Sequence, residues 1–160
     1  AQRIGFDIAG RHGEKLIDRW ADGPRTMHGF VTRGFPNLFF VSHVQSGLSL
    51  NFTHMIDEQA RHVAYILGRA IAEGIGTMEP TCEAEAAWVA EVEHASPATE
   101  AFNRECTPSY LNFEGDRDRG NIRNAPYGGG PMPFYAMLAG WRADGAMRGL
   151  ECRLSASLIS

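Results

Sequence analysis

The chain has 160 residues, 44% of them hydrophobic, which is enough apolar material for a globular domain with a buried core. Charged residues make up 21%, are mixed in sign and sum to a net charge of -4, which argues against a continuous basic surface and a nucleic-acid partner. No apolar run reaches the roughly 20 residues that cross a bilayer, and the first residues lack the apolar core of a secretory signal. We therefore expect a soluble, cytoplasmic protein without a membrane partner.

The first predicted elements are strands. From Arg3 to Ala21 the pattern indicates short strands broken at glycines, and Asp22-Gly23-Pro24 then predicts a turn. Residues 38–41 form a continuous apolar run after a second turn, which is typical of a strand buried on both faces. Such strands belong to parallel sheets that helices cover. We also expect that any exposed apolar surface around this run drives self-association.

A loop from Ser42 to Leu50 leads into a long predicted helix. Asn51 or Thr53 can cap the helix, and Gly74 can end it. Strand, loop and helix together form half of a crossover unit. Apolar residues at 3.6-residue spacing define the helix face that we expect to be buried: Ile56, Ala60, Val63, Leu67, Ala70 and Ile71.

The rest of the chain is predicted to contain two more helices and a strand. A cap at Thr81 starts a helix that ends near His94, and turn-forming residues dominate positions 98–130. A loop of that length is usually functional or supported by other structure. A last helix spans about 133–143, and residues 150–154 have strand character.

This set of elements is too small for a doubly wound sheet, which needs several consecutive strand-helix units. The GxGxxG fingerprint of dinucleotide binding is also absent, because Gly128-Gly129-Gly130 follows no strand and precedes Pro131. We therefore expect the chain to be part of a larger fold, whose other strands and nucleotide-binding loop lie outside it.

Cysteine and histidine spacing predicts no metal site. Cys82, Cys106 and Cys152 are widely spaced and form no CxxC pair, so we expect free thiols. His54 and His62 are too far apart on one helix to bind a metal together, and we expect no carboxylate at ligand spacing. Solvated or partly buried histidines are the expected state.

Seven blocks of sequence carry a family resemblance. Three precede residue 70: Trp20-Ala-Asp-Gly-Pro-Arg-Thr-Met-His-Gly, Gly34-Phe-Pro-Asn-Leu-Phe-Phe-Val and Asp57-Glu-Gln-Ala-Arg-His-Val-Ala-Tyr-Ile. Four follow: Ala84-Glu-Ala-Ala-Trp-Val, Cys106-Thr-Pro-Ser-Tyr, Asn124-Ala-Pro-Tyr-Gly-Gly-Gly-Pro and Gly140-Trp-Arg-Ala-Asp-Gly. In order and spacing this set resembles the carboxy-terminal portion of type I Baeyer–Villiger monooxygenases, within the flavin-containing monooxygenase superfamily.

The resemblance implies an α/β fold, the carboxy-terminal part of an FAD/NAD(P)-binding Rossmann-like flavoprotein. Residues 1–76 would end the FAD-binding domain, and residues 77–160 would form a helical and loop extension. The implied cofactors are FAD and NADPH, and the implied reaction uses dioxygen to convert a ketone substrate into an ester or lactone. The family's two GxGxxG motifs, its FxGxxxHxxxW signature and its catalytic arginine are missing here, so no catalytic residue is assigned.

The resemblance also implies cofactor contacts. In the family, the segment that matches Gln45 to Met55 lies against the flavin, with a backbone N–H near Met55 directed at it. Gln45, His54 and Met55 are therefore candidate FAD contacts, although Met55 could equally be a core methionine. Tyr110 matches a position that touches the NADP ribose, or it is a packing residue.

Other positions match the border of the substrate pocket. They are Asn51, Phe52 and Thr53, for which helix capping and core packing are the alternatives. Many relatives have Gly-Pro where this chain has Ser42-His43, so His43 is either a pocket residue or exposed.

Two hypotheses follow. The chain is part of a flavin monooxygenase and works only with a missing amino-terminal portion, or it is a non-catalytic interaction module or relic that associates with its own copies through an exposed sheet edge.

Overall fold

A computed structural model describes residues 5–96, 101, 105 and 121–155. Its helices are α1 (Leu16–Arg19), α2 (Phe52–Glu73), α3 (Cys82–Ala95) and α4 (Pro131–Asp144), and its strands are β1 (Ile75–Pro80) and β2 (Leu150–Leu154). Two short 3-10 turns lie at Arg11–Gly13 and Ile122–Asn124. Among these described residues, no helix is long and apolar enough to span a membrane.

Helices α2 and α3 confirm the predicted caps. The side-chain oxygen of Asn51 accepts a hydrogen bond from the His54 N–H at 3.1 Å, and left-handed Gly74 ends α2. The Thr81 hydroxyl accepts from the Ala84 N–H at 3.1 Å at the start of α3. Helix α4 begins two residues before its predicted start because Pro131, whose ring suits the first helical position, opens it.

The buried face of α2 is not the predicted one. Ile71 is 83% exposed and Leu67 is 42% exposed, although both belong to the predicted face. Rotation by about one residue brings Met55, Gln59, His62 and Ile66 to the interior, and Ala70 is the one residue of the predicted face that is buried. The prediction failed because it equated apolar with buried, whereas this helix buries a glutamine and a histidine and leaves two large aliphatic residues outside.

The predicted strand at residues 38–41 is also wrong. The backbone of this segment makes only isolated hydrogen bonds, such as the Phe40 N–H to the Phe30 carbonyl at 2.8 Å, and no described residue pairs with it in a ladder. A buried strand needs neighbours on both sides, and the apolar run lacks them in the part of the chain that the structure describes. Val41 at its end is 49% exposed.

The segment before residue 22 contains a 3-10 turn and α1 instead of the predicted strands. The turn is closed by a single bridge between Ala9 and Lys15. Leu16 is buried and anchors α1 to the rest of the protein. The turn predicted at Asp22-Gly23-Pro24 is confirmed.

The sheet has two antiparallel strands, with Met78 opposite Cys152 and Pro80 opposite Leu150. Strand β2 was predicted, but β1 was not, because Gly76 and Pro80 are residues that weaken a strand signal. The proposed domain boundary after residue 76 lies inside β1 and remains a prediction.

The free edge of β1 is occupied by a single residue. Asn37 has a left-handed backbone, with φ of 62°, which asparagine tolerates. Its N–H donates to the Met78 carbonyl at 2.9 Å, its side-chain oxygen accepts from the Met78 N–H at 3.0 Å, and its amide nitrogen donates to the Gly76 carbonyl at 2.9 Å. Asn37 thus pairs with β1 on the side opposite β2.

An aromatic core joins α3, α4 and the turn before residue 32. Its buried members are Met27, Phe30, Val31, Trp88, Val92, Phe134, Tyr135 and Leu138. A smaller cluster of Ile66, Ala70 and Met78 packs α2 on β1.

A buried carboxylate fixes the chain between these clusters. Glu85 on α3 is 4% exposed. It accepts from the Thr32 hydroxyl at 3.0 Å and the Arg33 N–H at 2.8 Å, and it pairs with Arg19. Because burial of an unpaired charge is costly, these partners explain how the carboxylate is accommodated.

Candidate functional site

The loop before α2 turns at Gln45, a fully buried residue in the left-handed region with φ of 55°. Its side-chain oxygen accepts from the Thr26 N–H at 3.1 Å and from the Thr26 hydroxyl at 2.6 Å. Its amide nitrogen donates to the carbonyls of Pro24 at 2.8 Å and Arg123 at 3.1 Å. The amide thus ties together three segments of the chain, and these bonds use both of its donors.

The backbone of Gln45 is also bonded within the chain. Its N–H donates to the Ala125 carbonyl at 2.9 Å, and its carbonyl accepts from the Trp88 indole at 3.0 Å. Gln45 therefore stabilises the loop. Its contact with a cofactor remains a prediction, and all N–H donors of Gln45 are already bonded within the chain.

The start of α2 exposes two backbone N–H groups. The Met55 N–H donates to the Asn51 carbonyl at 3.0 Å, and the His54 N–H donates to the Asn51 side chain. The N–H groups of Phe52 and Thr53, in the first helical turn, have no partner among the described residues. The donors available to a ligand are therefore those of Phe52 and Thr53, and the N–H of Met55 is already engaged.

Exposed apolar side chains occur in the segment that leads into α2 and at its first residue. We call them the apolar rim: Val41 (49% exposed), Leu48 (41%), Leu50 (fully exposed) and Phe52 (60%). Large apolar side chains grouped at one surface mark interaction or ligand-binding sites.

The structure brings most of the predicted site residues together. Asn51, Phe52, Thr53 and His54 are exposed at the helix start, whereas Met55 is fully buried, as expected of a core methionine. The site roles of these residues remain predictions. Tyr110 lies outside the described residues.

His43 is half-buried beside the loop. The predicted alternatives, a pocket residue or an exposed one, are therefore not separated by its position.

Three potential metal ligands converge on the first two turns of α2, contrary to the expectation that no carboxylate lies at ligand spacing. Ligand atoms of His54, Asp57 and Glu58 all lie within 4.8 Å of one another. Asp57, however, pairs with Arg61 at 2.8 Å, and Glu58 is 3.7 Å from Arg142. The carboxylates are thus already neutralised by arginines, and we assign no metal to them.

A pair of interior histidines was missed from the sequence. His62 is 1% exposed, so the expectation of a solvated or partly buried side chain was wrong. Its ring lies 6.2 Å from that of His28 and 5.1 Å from that of Trp141. The sequence does contain a signal for this burial. His62 lies seven residues after Met55 and four before Ile66, a spacing that places all three on the same face of a helix.

Burial keeps both histidines neutral. It lowers the pKa of His28 from 6.5 to about 4. It lowers the pKa of His62 to about 3, where the charges of His28 and Arg142 add smaller effects in the same direction. The two polar side chains on the interior face of α2, Gln59 and His62, are therefore uncharged at neutral pH.

The comparisons with known proteins agree with the resemblance. No protein-family model matches the chain. Pentalenolactone D synthase of Streptomyces exfoliatus is 40% identical over 152 residues, which are 95% of this chain and 26% of that protein. Baeyer-Villiger monooxygenase 4 of Dietzia sp. is 39% identical over 146 residues, 91% of this chain and 24% of that protein.

Solved structures give the same picture. Polycyclic ketone monooxygenase from Thermothelomyces thermophila superposes with a TM-score of 0.86 at 33% identity, over 98% of this chain and 25% of that one. Cyclohexanone monooxygenase from Rhodococcus sp. Phi1, bound to NADP+, gives 0.78 at 28% identity, over 94% of this chain and 27% of that one. The chain thus spans about a quarter of the length of its relatives. In sequence and in fold, it is homologous over nearly its whole length to a part of Baeyer–Villiger monooxygenases.

Proposed function

We propose that the chain forms the carboxy-terminal part of an FAD- and NADPH-dependent monooxygenase that inserts oxygen next to a ketone carbonyl, giving an ester or lactone. The observation that carries this proposal is the start of α2, where two N–H groups without partners among the described residues lie next to the exposed apolar side chains of Leu50 and Phe52. The names of the homologous proteins support it.

The helix start fits a flavin. Unpaired N–H groups and the positive end of the helix dipole stabilise negative charge, such as the charge that a flavin ring carries after reduction. The N–H groups of Phe52 and Thr53 would face the pyrimidine oxygens of FAD. When bound, FAD and NADPH supply the redox chemistry and the activation of dioxygen.

The surrounding side chains fit an apolar ketone. The Phe52 ring and the small polar groups of Asn51 and Thr53 would border the substrate, because an apolar pocket with few polar groups orients such a ligand. These residues bind and orient, and none of them is placed to transfer a proton. Tyr110 stays a proposed contact to NADPH.

We propose that the missing amino-terminal portion covers the exposed side of α2. Leu67 and Ile71 lie on that side, as do Ala60, Ala64 and Gly68, which would allow close packing of another element. That portion would also hold the FAD pyrophosphate, since this sequence has no GxGxxG motif. The chain alone is therefore expected to be inactive.

The test compares the chain alone with a chimera in which it replaces the matching quarter of pentalenolactone D synthase. We expect the chain alone to be colourless with added FAD, and the chimera to be yellow and to oxidise NADPH when a ketone is present. A chimera that folds but binds no FAD would refute the proposal.

Two variants of the chimera test the helix start itself. Phe52→Pro removes the N–H at the first helical position, where proline is tolerated, and Phe52→Ala keeps that N–H. We expect weaker FAD binding only in the proline variant, and a raised KM for the ketone in both. Equal FAD affinity in the two variants would contradict a role for the N–H.

The second candidate is a non-catalytic interaction module that associates with its own copies. The exposed apolar side of α2 favours it. Since residues 38–41 are not a strand and Asn37 occupies the free edge of β1, the sheet edge in this hypothesis would have to belong to β2. A yellow chimera with ketone-dependent turnover would rule it out.

A further inference from the structure

Ser42–Gly47, the turning part of the loop before α2, has no ladder of backbone hydrogen bonds. Its backbone N–H groups bond to unrelated partners. The Gln45 N–H donates to the Ala125 carbonyl at 2.9 Å, and the Ser46 N–H donates to the His43 carbonyl at 3.3 Å. Side chains must therefore set much of its path.

The side chain of Gln59 closes this loop from α2. It is fully buried, and its amide nitrogen donates to the Ser42 carbonyl at 2.8 Å and to the Ser46 hydroxyl at 3.1 Å. The Ser46 hydroxyl in turn donates to the Ser42 carbonyl. One amide thus joins both ends of the turn and uses both of its donors.

The opposite side of the loop is fixed by packing. A Cβ atom added at Gly47 would lie 2.8 Å from the Phe134 ring in the aromatic core, so the backbone there is already in close contact. The loop is held between the Gln59 amide on one side and the aromatic core on the other. Because Gln45 also bonds to Thr26, Pro24 and Arg123, we expect loss of the Gln59 bonds to loosen the loop around Ser42 and Ser46 without detaching it.

We propose that Gln59 is a positioning residue for the flavin-facing loop and helix start, an inference that rests on the proposed function. Gln59 is buried and acts through Ser42 and Ser46 without touching cofactor or substrate. Its side-chain oxygen has no partner among the described residues, so Gln59→Leu removes both donors at similar size and orphans no donor that the structure describes.

The first experiment measures amide hydrogen exchange in the 160-residue chain. In Gln59→Leu we expect the amides of Gln45 and Ser46 to exchange about tenfold faster relative to those of α3, because the loop opens locally. Ile66→Ala is the control, since Ile66 is buried on the same side of α2 and has no bond to the loop. It should speed exchange only in proportion to its loss of global stability. Unchanged relative exchange in Gln59→Leu would overturn the proposal.

The second experiment places both variants in the chimera. We expect Gln59→Leu to weaken FAD affinity about fivefold, an effect of a misplaced loop, and to shift the visible flavin absorption band, while Ile66→Ala leaves the band unchanged. A Gln59→Leu chimera with the spectrum of the parent would refute the positioning role. A parent chimera that binds no FAD would instead refute the proposed function, and the exchange data would still report on the loop.

Discussion

Each side of α2 departs in part from the usual pattern of an apolar interior and a polar surface. The interior side carries Gln59 and His62, both almost fully buried, and the outer side carries Leu67 and Ile71, at 42% and 83% exposure. The polar interior groups are accommodated, one by hydrogen bonds and the other by staying neutral. The apolar outer groups have no such compensation within the described residues. A helix of this kind is suited to burial on both sides, and we propose that the second side belongs to an interface.

The largest expected effect is on the free energy of unfolding, and it compares the same isoleucine-to-alanine substitution on the interior and outer sides of α2. Ile66→Ala should lower the free energy of unfolding by about 2–5 kcal/mol, because it leaves a cavity between α2 and β1. Ile71→Ala should change it by less than about 0.5 kcal/mol, as for other exposed positions. Urea denaturation of both variants measures the difference. Equal losses would mean that the outer side is packed within the chain and would break the comparison.

A second prediction concerns the interior histidines. Both have a folded-state pKa below 6.5, so the unfolded chain binds protons first as the pH falls. Stability should be fully present above about pH 6.5 and should fall below it by about 1.4 kcal/mol per pH unit for each histidine. The loss continues to about pH 4 for His28 and about pH 3 for His62.

Denaturation midpoints between pH 7 and 5 measure this slope. The control is the double variant His28→Asn and His62→Met, since asparagine tolerates the left-handed backbone at residue 28. It should flatten the dependence in that range. A slope that persists in the double variant would show that other groups cause it.

The smallest expected effect on stability comes from two substitutions on the outer side of α2, which should instead change self-association of the chain. Leu67→Ser with Ile71→Ser should alter the free energy of unfolding by no more than about 1 kcal/mol in total, since both sites are exposed. If the outer side of α2 drives self-association of the isolated chain, the double variant should sediment as a smaller species. Ala90→Ser, at an exposed site on α3, is the control. A parent chain that is monomeric at all concentrations would remove the basis for this expectation.

Local sequence signals correctly predicted the helices α2 and α3, whose first turns are capped by a neighbouring side chain. Thr81 and Asn51 each precede a helix, and the hydrogen bonds they were expected to make are present. Strand β1 was missed because Gly76 and Pro80 weaken its local signal, and its pairing with the distant β2 could not be predicted locally.

The site was only partly predictable for the same reason. The loop and helix start were identified through the family resemblance, and the structure places their residues together. The bonds that fix the loop, however, join Gln45 to Arg123 and Gln59 to Ser42. Gln59 and His62 were not predicted to lie in the interior, because only the folded structure shows the hydrogen bonds of Gln59 and the burial that keeps His62 neutral.

Asn37 has a consequence for how copies of this protein can meet. An added strand needs a row of open N–H and C=O groups, and along β1 those of Gly76 and Met78 face away from β2. Asn37 bonds to the Gly76 carbonyl and to both backbone groups of Met78, so these three groups are not open to a strand from another molecule. One asparagine in a left-handed turn therefore blocks backbone groups through which a strand of another molecule would pair with β1. A copy of this protein that added a strand to the sheet would have to use the edge of β2 instead.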